Sequence, residues 1–288
     1  MRILTDTCPM EAKFGIREAI RIFKEAGFDA LDYSMFSLDR DDSILSSDGW
    51  RDYVKELRAF ADEEGIPFVQ GHSPYPTALW DNADYNARMY PRVIRSIEIA
   101  GILGIKNLVV HPITAIPAGP NRKEFNMLLY RDLLPCAKEN GVTLCLENMW
   151  NMDLRRGYII GDSCSFGHEL ADWHDTLADE NITVCLDVGH SSLVGEEAED
   201  AIRAIGHRLG ALHIHDNDYK SDAHLLPYAG KMHWDKITAA LREVGYKGDF
   251  TFEACNFFNP LPADRGICLA AARMMCEVGR SLVRQIEG

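Results

Sequence analysis

Short apolar runs alternate with longer amphipathic stretches eight times along the chain. The runs are typical of parallel strands buried on both faces, and the stretches show the apolar spacing of helices with one buried side. In the first helix this spacing joins Ile16, Ile20, Phe23 and Ala26, and we expect Gly27 to end it. The predicted strands cover residues 3–6, 30–33, 67–71, 107–110, 143–147, 183–187, 211–215 and 249–253, and the later helices cover 50–65, 83–104, 122–140, 166–180, 196–205, 234–244 and 263–286.

Glycine marks the ends of several predicted helices. Gly27, Gly65, Gly141 and Gly245 each stand between a helix and the strand that follows it, where a left-handed backbone is favoured. Pro91 interrupts the helix predicted over 83–104, so we expect a kink or a late start there.

Strict alternation of strands and helices predicts a parallel sheet with helices outside, and eight such units predict a single (β/α)8 TIM barrel. The alternative is a doubly wound open sheet. That fold usually carries a glycine-rich phosphate loop after its first strand, and residues 5–10, Thr-Asp-Thr-Cys-Pro-Met, do not form one. No low-complexity run or Pro/Ser-rich linker divides the chain, so residues 1–288 are expected to be one domain.

Composition narrows the class of protein. The net charge is −14, which disfavours a nucleic-acid partner because such binders need basic side chains to neutralise phosphates. The eight cysteines include no CxxC pair, and Cys145, Cys185 and Cys255 lie in apolar runs, so we expect buried thiols and no disulfide scaffold. The chain shows no signal peptide and no membrane-spanning run, so a cytoplasmic protein without a membrane partner is expected.

Polar residues gather where the predicted strands end, which is the place where barrels of this kind carry their chemistry. Six consecutive strands, the third to the eighth, finish in His, Asp or Glu. The residues are His72, His111, Glu147, Asp187 with His190 three residues on, His213 with His215, and Glu253.

Glu147, Asp187, His213 and Glu253 are predicted to point at one mouth. Three carboxylates packed together repel one another unless a cation neutralises them, and this donor set suits one divalent ion of the Mn²⁺, Co²⁺, Mg²⁺ or Zn²⁺ type. His213 and His215 are two residues apart, so both should face the barrel interior. One would be a ligand, and the other would contact substrate or orient a ligand; a structural, hydrogen-bonded histidine is the alternative for His215.

Four segments carry a resemblance to a known family. They are Cys-Leu-Glu-Asn at 145–148, Cys-Leu-Asp-Val-Gly-His at 185–190, Leu-His-Ile-His-Asp-Asn-Asp at 212–218 and Phe-Glu at 252–253. The chain resembles the xylose isomerase-like barrel superfamily, which contains sugar isomerases, ketose 3-epimerases, inosose dehydratases and endonuclease IV. The resemblance implies that Glu147, Asp187, His213 and Glu253 are metal ligands and that His190 contacts substrate. It also implies a homodimer or homotetramer.

The endonuclease branch of this superfamily matches at further positions. His72, His111, His190, Asp222 and His224 fall on its remaining zinc ligands, so up to three Zn²⁺ ions and cleavage of abasic DNA form the alternative interpretation. The acidic net charge and the lack of a Lys/Arg cluster in the loops speak against a duplex partner. In the epimerases an Arg typically follows a few residues after the histidine of the seventh strand, whereas residues 218–220 here are Asp-Tyr-Lys.

The predicted activity is a metal-dependent isomerisation or epimerisation of a sugar-like ketone through an enediolate, with Glu147 and Glu253 as acid and base on opposite faces of the substrate. The lack of a basic cluster favours a substrate without phosphate. A dehydratase or lyase would start from the same enediolate, and a non-enzymatic subunit that retains the ligands is a further hypothesis.

Several side chains are expected to bind the sugar. The predicted substrate contacts are His190, His72, His111 and His215. Trp80 and Trp150 would pack against the sugar or, alternatively, serve only as packing under a loop.

Overall fold

The computed structural model describes residues 1–119 and 121–288. The eight strands of the barrel are short and almost wholly buried, as the apolar runs predict. In chain order the strands are β1 Ile3–Asp6, β2 Ala30–Ser34, β3 Phe68–His72, β4 Asn107–Val109, β5 Thr143–Glu147, β6 Trp150–Asp153, β7 Tyr158–Gly161, β8 Ile182–Asp187, β9 Leu209–His213 and β10 Phe250–Phe252. Strands β6 and β7 form a separate antiparallel hairpin, and the other eight form one parallel sheet.

The sheet curls into a nearly closed barrel. Its strand order is β10-β1-β2-β3-β4-β5-β8-β9. The remaining gap between β9 and β10 is bridged at Ile214, whose N–H donates to the carbonyl of Thr251 (2.8 Å) and whose carbonyl accepts from the N–H of Glu253 (3.1 Å). The predicted (β/α)8 TIM barrel is therefore confirmed, and the open doubly wound sheet is excluded.

Helices follow the strands and cover the outside of the barrel. In chain order they are α1 Cys8–Phe14, α2 Ile16–Ala26, α3 Trp50–Glu64, α4 Ala83–Leu103, α5 Asn121–Glu139, α6 Gly167–Leu177, α7 Val188–Leu193, α8 Ala198–Ile205, α9 Trp234–Glu243, α10 Cys255–Phe258 and α11 Arg265–Glu287. The predicted helices agree with this set within a few residues. The pattern missed the short helices α1, α7 and α10, which are too brief to show a helical period.

The glycine caps are confirmed. Gly27, Gly65, Gly141 and Gly245 have φ values of 99°, 68°, 66° and 69°, in the region that a side chain disfavours. Of the two outcomes expected at Pro91, the late start is wrong, because α4 begins at Ala83 and continues through the proline as one helix, and the kink stays a prediction.

The core lies mainly between the barrel strands and the surrounding helices. Inside the barrel, small residues form a separate buried layer: Val109, Cys145, Cys185 and Ala211. All eight cysteines are free. Cys255 is only half-buried at the start of α10, so its prediction as a core residue is wrong.

Within the described ranges 1–119 and 121–288, no helix combines the length and the apolar character that crossing a bilayer requires.

Glu11 in α1 gives a first testable prediction. Burial, reinforced by the nearby Asp6 carboxylate, raises the pKa of Glu11 to about 7, whereas the ordinary value is 4.5. Above pH 7 the folded protein must therefore hold a poorly solvated charge, and below pH 4.5 the group is protonated in both folded and unfolded chains. We expect Glu11→Gln to stabilise the protein by about 3 kcal/mol at pH 8, at 1.36 kcal/mol per pKa unit, and to have no effect near pH 4.

Urea unfolding at the two pH values measures this difference. The exposed Glu63 in α3 supplies the control, since Glu63→Gln should leave the unfolding free energy unchanged at both. Equal effects of Glu11→Gln at pH 8 and pH 4 would contradict the assignment.

Candidate functional site

The carboxyl ends of the barrel strands bring the predicted polar residues to one mouth. They are His72 at the end of β3, Glu147 at the end of β5, Asp187 at the end of β8, His213 at the end of β9, and Glu253 directly after β10. The side chains of the first four are at most 1% exposed, and that of Glu253 is 15% exposed. A cavity of about 450 Å³ opens above them.

Four of these residues form the first candidate cation site. One ligand atom each from Glu147, Asp187, His213 and Glu253 lies within 4.8 Å of the others. His213 is central, with Nδ1 2.7 Å from Oε1 of Glu147 and 3.4 Å from Oε2 of Glu253. Its buried Nε2 has no hydrogen-bond partner among the described residues. The donor set is therefore compact, buried and rich in negative charge.

A second cluster lies on the loop side of the same mouth and consists of His190, Asp222 and His224. Oδ2 of Asp222 lies 3.5 Å from Nε2 of His190 and 3.2 Å from Nε2 of His224. The other oxygen of Asp222 is buried and unpaired within the described part of the chain. The three ligand atoms lie within 4.8 Å of one another, so this cluster is a second candidate cation site.

His72 and His111 flank the first site from the β3 and β4 side. His72 Nδ1 lies 3.0 Å from Oδ1 of the buried Asp32, and its Nε2 lies 3.6 Å from Glu253. The ring of His72 stacks on His213 with centroids 4.5 Å apart. His111 Nε2 lies 2.9 Å from Oε2 of Glu147. Sequence reasoning missed Asp32, whose signal is a carboxylate inside an otherwise apolar strand.

His215 faces the barrel interior together with His213, as their spacing predicts. Its Nε2 lies 2.9 and 3.0 Å from the two oxygens of Asp187, and its ring stacks on that of His224 at 4.0 Å. Gly189 passes directly beneath this ring, where a Cβ atom would lie 2.0 Å from it. The position of His215 therefore depends on glycine in the loop after β8.

Charges within the site shift the pKa values of its carboxyl groups. Burial alone would raise the pKa of Glu147, but the imidazoles of His213 and His111 outweigh it and hold that pKa well below the ordinary value. Burial likewise opposes ionisation of Asp187, and the nearby His190 and His215 lower its pKa nonetheless. Both carboxyl groups are therefore ionised at neutral pH.

The imidazoles show the reciprocal effect. Burial would lower the pKa of His190, but the carboxylates of Asp187 and Asp222 raise it to about 10. For His72, the carboxylate of Asp32 overcomes burial and raises the pKa to about 10. In the cation-free protein these raised pKa values favour protonated rings, which offset part of the negative charge of the mouth.

The hairpin of β6 and β7 forms one wall of the cavity, and sequence reasoning did not predict it. Trp150, Asn151 and Met152 of this hairpin line the cavity beside Met149. The indole N–H of Trp150 donates to Oδ2 of Asp222 at 3.3 Å, which joins the hairpin to the opposite loop. The signal in the sequence is the alternating pattern that begins at Trp150, inside an interval too long for a simple loop between strand and helix.

Trp80 lies elsewhere. Its ring packs edge-on against Phe125 with centroids 4.8 Å apart, beside a separate groove that also contains Ile113. Trp80 therefore lies outside the mouth, while Trp150 lines the cavity.

Asp216 supports the loop that carries Asp222 and His224 into the mouth. Its buried carboxylate accepts hydrogen bonds from the backbone N–H groups of Asn217, Tyr228 and Met232 and from the indole of Trp234, at 2.8–3.1 Å. Its backbone also pairs with Leu225 in both directions. These bonds close the loop at its base and satisfy the buried charge.

Comparison with known proteins gives consistent matches over most of the chain. A sequence profile for the family described as xylose isomerase-like TIM barrel matches residues 20–268. The D-psicose 3-epimerase of Enterocloster bolteae is 27% identical over 239 residues, covering 79% of this chain and 72% of that protein. A crystal structure of a D-tagatose 3-epimerase-like protein gives a TM-score of 0.75 at 18% identity, covering 100% of this chain and 98% of that one. The IOLI protein with a bound zinc atom also gives 0.75, at 15% identity over 98% and 99% of the two chains.

The two solved structures are each less than 25% identical to this chain, and their similarity establishes the fold. The profile match extends from α2 to α11 and so includes every strand after β1. Sugar 3-epimerases are among the matched relatives. The chain therefore belongs to the xylose isomerase-like TIM barrel family.

Proposed function

We propose that this protein is a divalent-cation-dependent epimerase or isomerase of a sugar-like polyhydroxylated ketone. The observation that carries the proposal is the convergence of Glu147, Asp187, His213 and Glu253, whose ligand atoms lie within 4.8 Å of one another at the barrel mouth. The similarity to sugar 3-epimerases supports the same reaction class.

The donor set fits one hard-to-borderline divalent cation. Three carboxylates would repel one another in a buried mouth without a compensating positive charge, and Nδ1 of His213 lies 2.7 and 3.4 Å from oxygens of two of them. Glu147, Asp187, His213 and Glu253 would hold the cation. When bound, such an ion supplies Lewis-acid stabilisation of the charge that develops on a ketone oxygen.

Glu147 and Glu253 are the proposed acid–base pair. Both carboxylates approach Nδ1 of His213, at 2.7 and 3.4 Å, so the two acids lie close together at the mouth, and the proposal places them on opposite faces of the bound substrate. One glutamate begins ionised and removes the proton from the carbon next to the carbonyl, leaving an enediolate. The other begins protonated and returns a proton to the opposite face, which inverts that carbon. The pair must then exchange one proton with solvent to reset.

The cavity favours a neutral substrate rich in hydroxyl groups. Among the described residues, its lining includes no Lys or Arg that would pair with a phosphate. His111, His190 and Asn151 line it with groups that bind hydroxyls, while Trp150 and Met152 give an apolar wall. A ketose or keto-sugar without phosphate matches this chemistry.

Solvent exchange tests the proposal directly. The protein, reconstituted with Mn²⁺ or Co²⁺, is incubated with a panel of unphosphorylated ketoses in D₂O. We expect a new epimer or isomer that carries one deuterium at the carbon next to the carbonyl, detected by NMR. A panel with neither new product nor deuterium uptake would contradict the proposal.

A second candidate function is a zinc phosphodiesterase of the endonuclease IV type. It is favoured by the second cluster of His190, Asp222 and His224 and by the approach of His72 and His111 to the first site. The net charge of −14 opposes a DNA substrate, and so does a cavity lining that contains no Lys or Arg among the described residues. Cleavage of an abasic DNA duplex by the zinc-loaded protein is the corresponding assay.

A further inference from the structure

Three asparagine side chains bind a neighbouring segment in the same way. In each case Oδ1 accepts from the backbone N–H of one residue and Nδ2 donates to the carbonyl of that same residue, which copies the pairing of two strands. The pairs are Asn86 with Leu79 (2.8 and 2.9 Å), Asn126 with Ile113 (2.7 and 3.2 Å), and Asn148 with Asp187 (2.8 and 2.8 Å). The third pair involves Asp187, which belongs to the first candidate cation site.

Asn148 lies directly after the last paired residue of β5. The ladder between β5 and β8 ends with Glu147 opposite Cys185, two residues short of Asp187. The fully buried side chain of Asn148 extends the pairing to Asp187 and satisfies both of its backbone groups. Since Asn148 directly follows Glu147, this contact fixes the distance between two carboxylate-bearing residues that are far apart in sequence.

The same residue also contacts a third member of the mouth. The backbone carbonyl of Asn148 lies 2.8 Å from Nδ1 of His190, so that nitrogen donates, and Nε2 faces Asp222. Asn148 Nδ2 also lies 3.2 Å from Oγ of Ser191 in the same turn. One asparagine therefore ties together the end of β5, the end of β8 and the first turn of α7.

We propose that Asn148 is a positioning residue that sets the spacing of Glu147 and Asp187 and the direction of His190, so that the cation site is formed before the cation arrives. This inference rests on the proposed cation-dependent function. Groups that orient metal ligands commonly contribute a factor of roughly 10–100 to affinity when they are removed one at a time.

The test compares Asn148→Ala with Asn86→Ala. Both changes remove a pair of hydrogen bonds of nearly equal length, but Asn86 binds Leu79 in a loop outside the site. We expect Mn²⁺ or Co²⁺ to bind Asn148→Ala roughly 10–100-fold more weakly than wild type, by calorimetry, and to bind Asn86→Ala unchanged. Equal affinity of Asn148→Ala and wild type would overturn the proposal.

A second variant answers the question if Asn148→Ala does not fold. Asn148→Leu keeps nearly the size of the side chain, but it neither accepts from the Asp187 N–H nor donates to the Asp187 carbonyl. It adds no charge to the mouth, so a weaker affinity identifies the lost positioning contact. An affinity equal to or above that of wild type would overturn the inference.

A measurement on cation-free protein separates this inference from the proposed function. We expect the Asp187 amide to exchange slowly with D₂O in wild type, because Asn148 Oδ1 accepts its proton, and at least tenfold faster in the Asn148 variant that folds. Rapid exchange in wild type would overturn the positioning role. Slow exchange in a wild-type protein that binds neither Mn²⁺ nor Co²⁺ would support the contact and overturn the proposed cation-dependent function.

Discussion

Replacing either Glu147 or Glu253 by Gln is expected to lower turnover by roughly 10²- to 10⁴-fold while the barrel stays folded. The amide has nearly the shape of the carboxylate, but it neither accepts a carbon-bound proton nor returns one. The lost activity is measured as kcat at saturating cation, because each glutamate is also a proposed ligand and the variants should bind the cation more weakly. Thermal unfolding of the same samples checks that the fold is intact.

Glu199 offers a matched control for this change. It is a buried glutamate on α8, 3.5 Å from Lys236 and away from the mouth. Glu199→Gln makes the same chemical replacement in a buried setting and should keep full turnover, even where it reduces stability. Full activity in Glu147→Gln or Glu253→Gln at saturating cation would contradict the acid–base assignment.

The second large effect on turnover is expected when the cation is removed. Dialysis against a chelator should abolish turnover, and addition of Mn²⁺, Co²⁺, Mg²⁺ or Zn²⁺ should restore it, since the clustered carboxylates then regain their compensating charge. Elemental analysis of the active protein distinguishes the two candidate functions. About one ion per chain supports the epimerase or isomerase, and two or three tightly held zinc ions support the phosphodiesterase. Turnover that survives complete cation removal would contradict both.

Comparing variants of His213 and His215 tests which of these two histidines is the cation ligand. Nδ1 of His213 lies within 3.4 Å of both Glu147 and Glu253, whereas His215 lies beside Asp187. We expect His213→Asn to weaken cation binding more than His215→Asn does, because His213 belongs to the compact donor set. The reverse order, measured by calorimetry, would identify His215 as the ligand and give His213 the orienting role.

The sequence by itself determined the fold and the location of its chemistry. The strands and helices could be predicted because each depends on residues close together in the chain. The local signals are apolar runs of strand length, helical spacing in stretches such as Ile16 to Ala26, and helix-ending glycines such as Gly27 and Gly65. Parallel strands present their carboxyl ends at one edge. The polar residues at strand ends, among them Glu147 and Asp187, were therefore expected at one mouth before any contact was known.

Only the tertiary structure decided which side chains meet within that mouth. The pairing of His72 with Asp32, of His215 with Asp187 and the contact of Asn148 with Asp187 all join residues 28 to 40 positions apart. The contact of the β6–β7 hairpin with Asp222, through Trp150, is likewise a tertiary one. Sequence periodicity reports which face of an element is buried, whereas these contacts depend on strand register, barrel closure and loop path, which long-range packing sets.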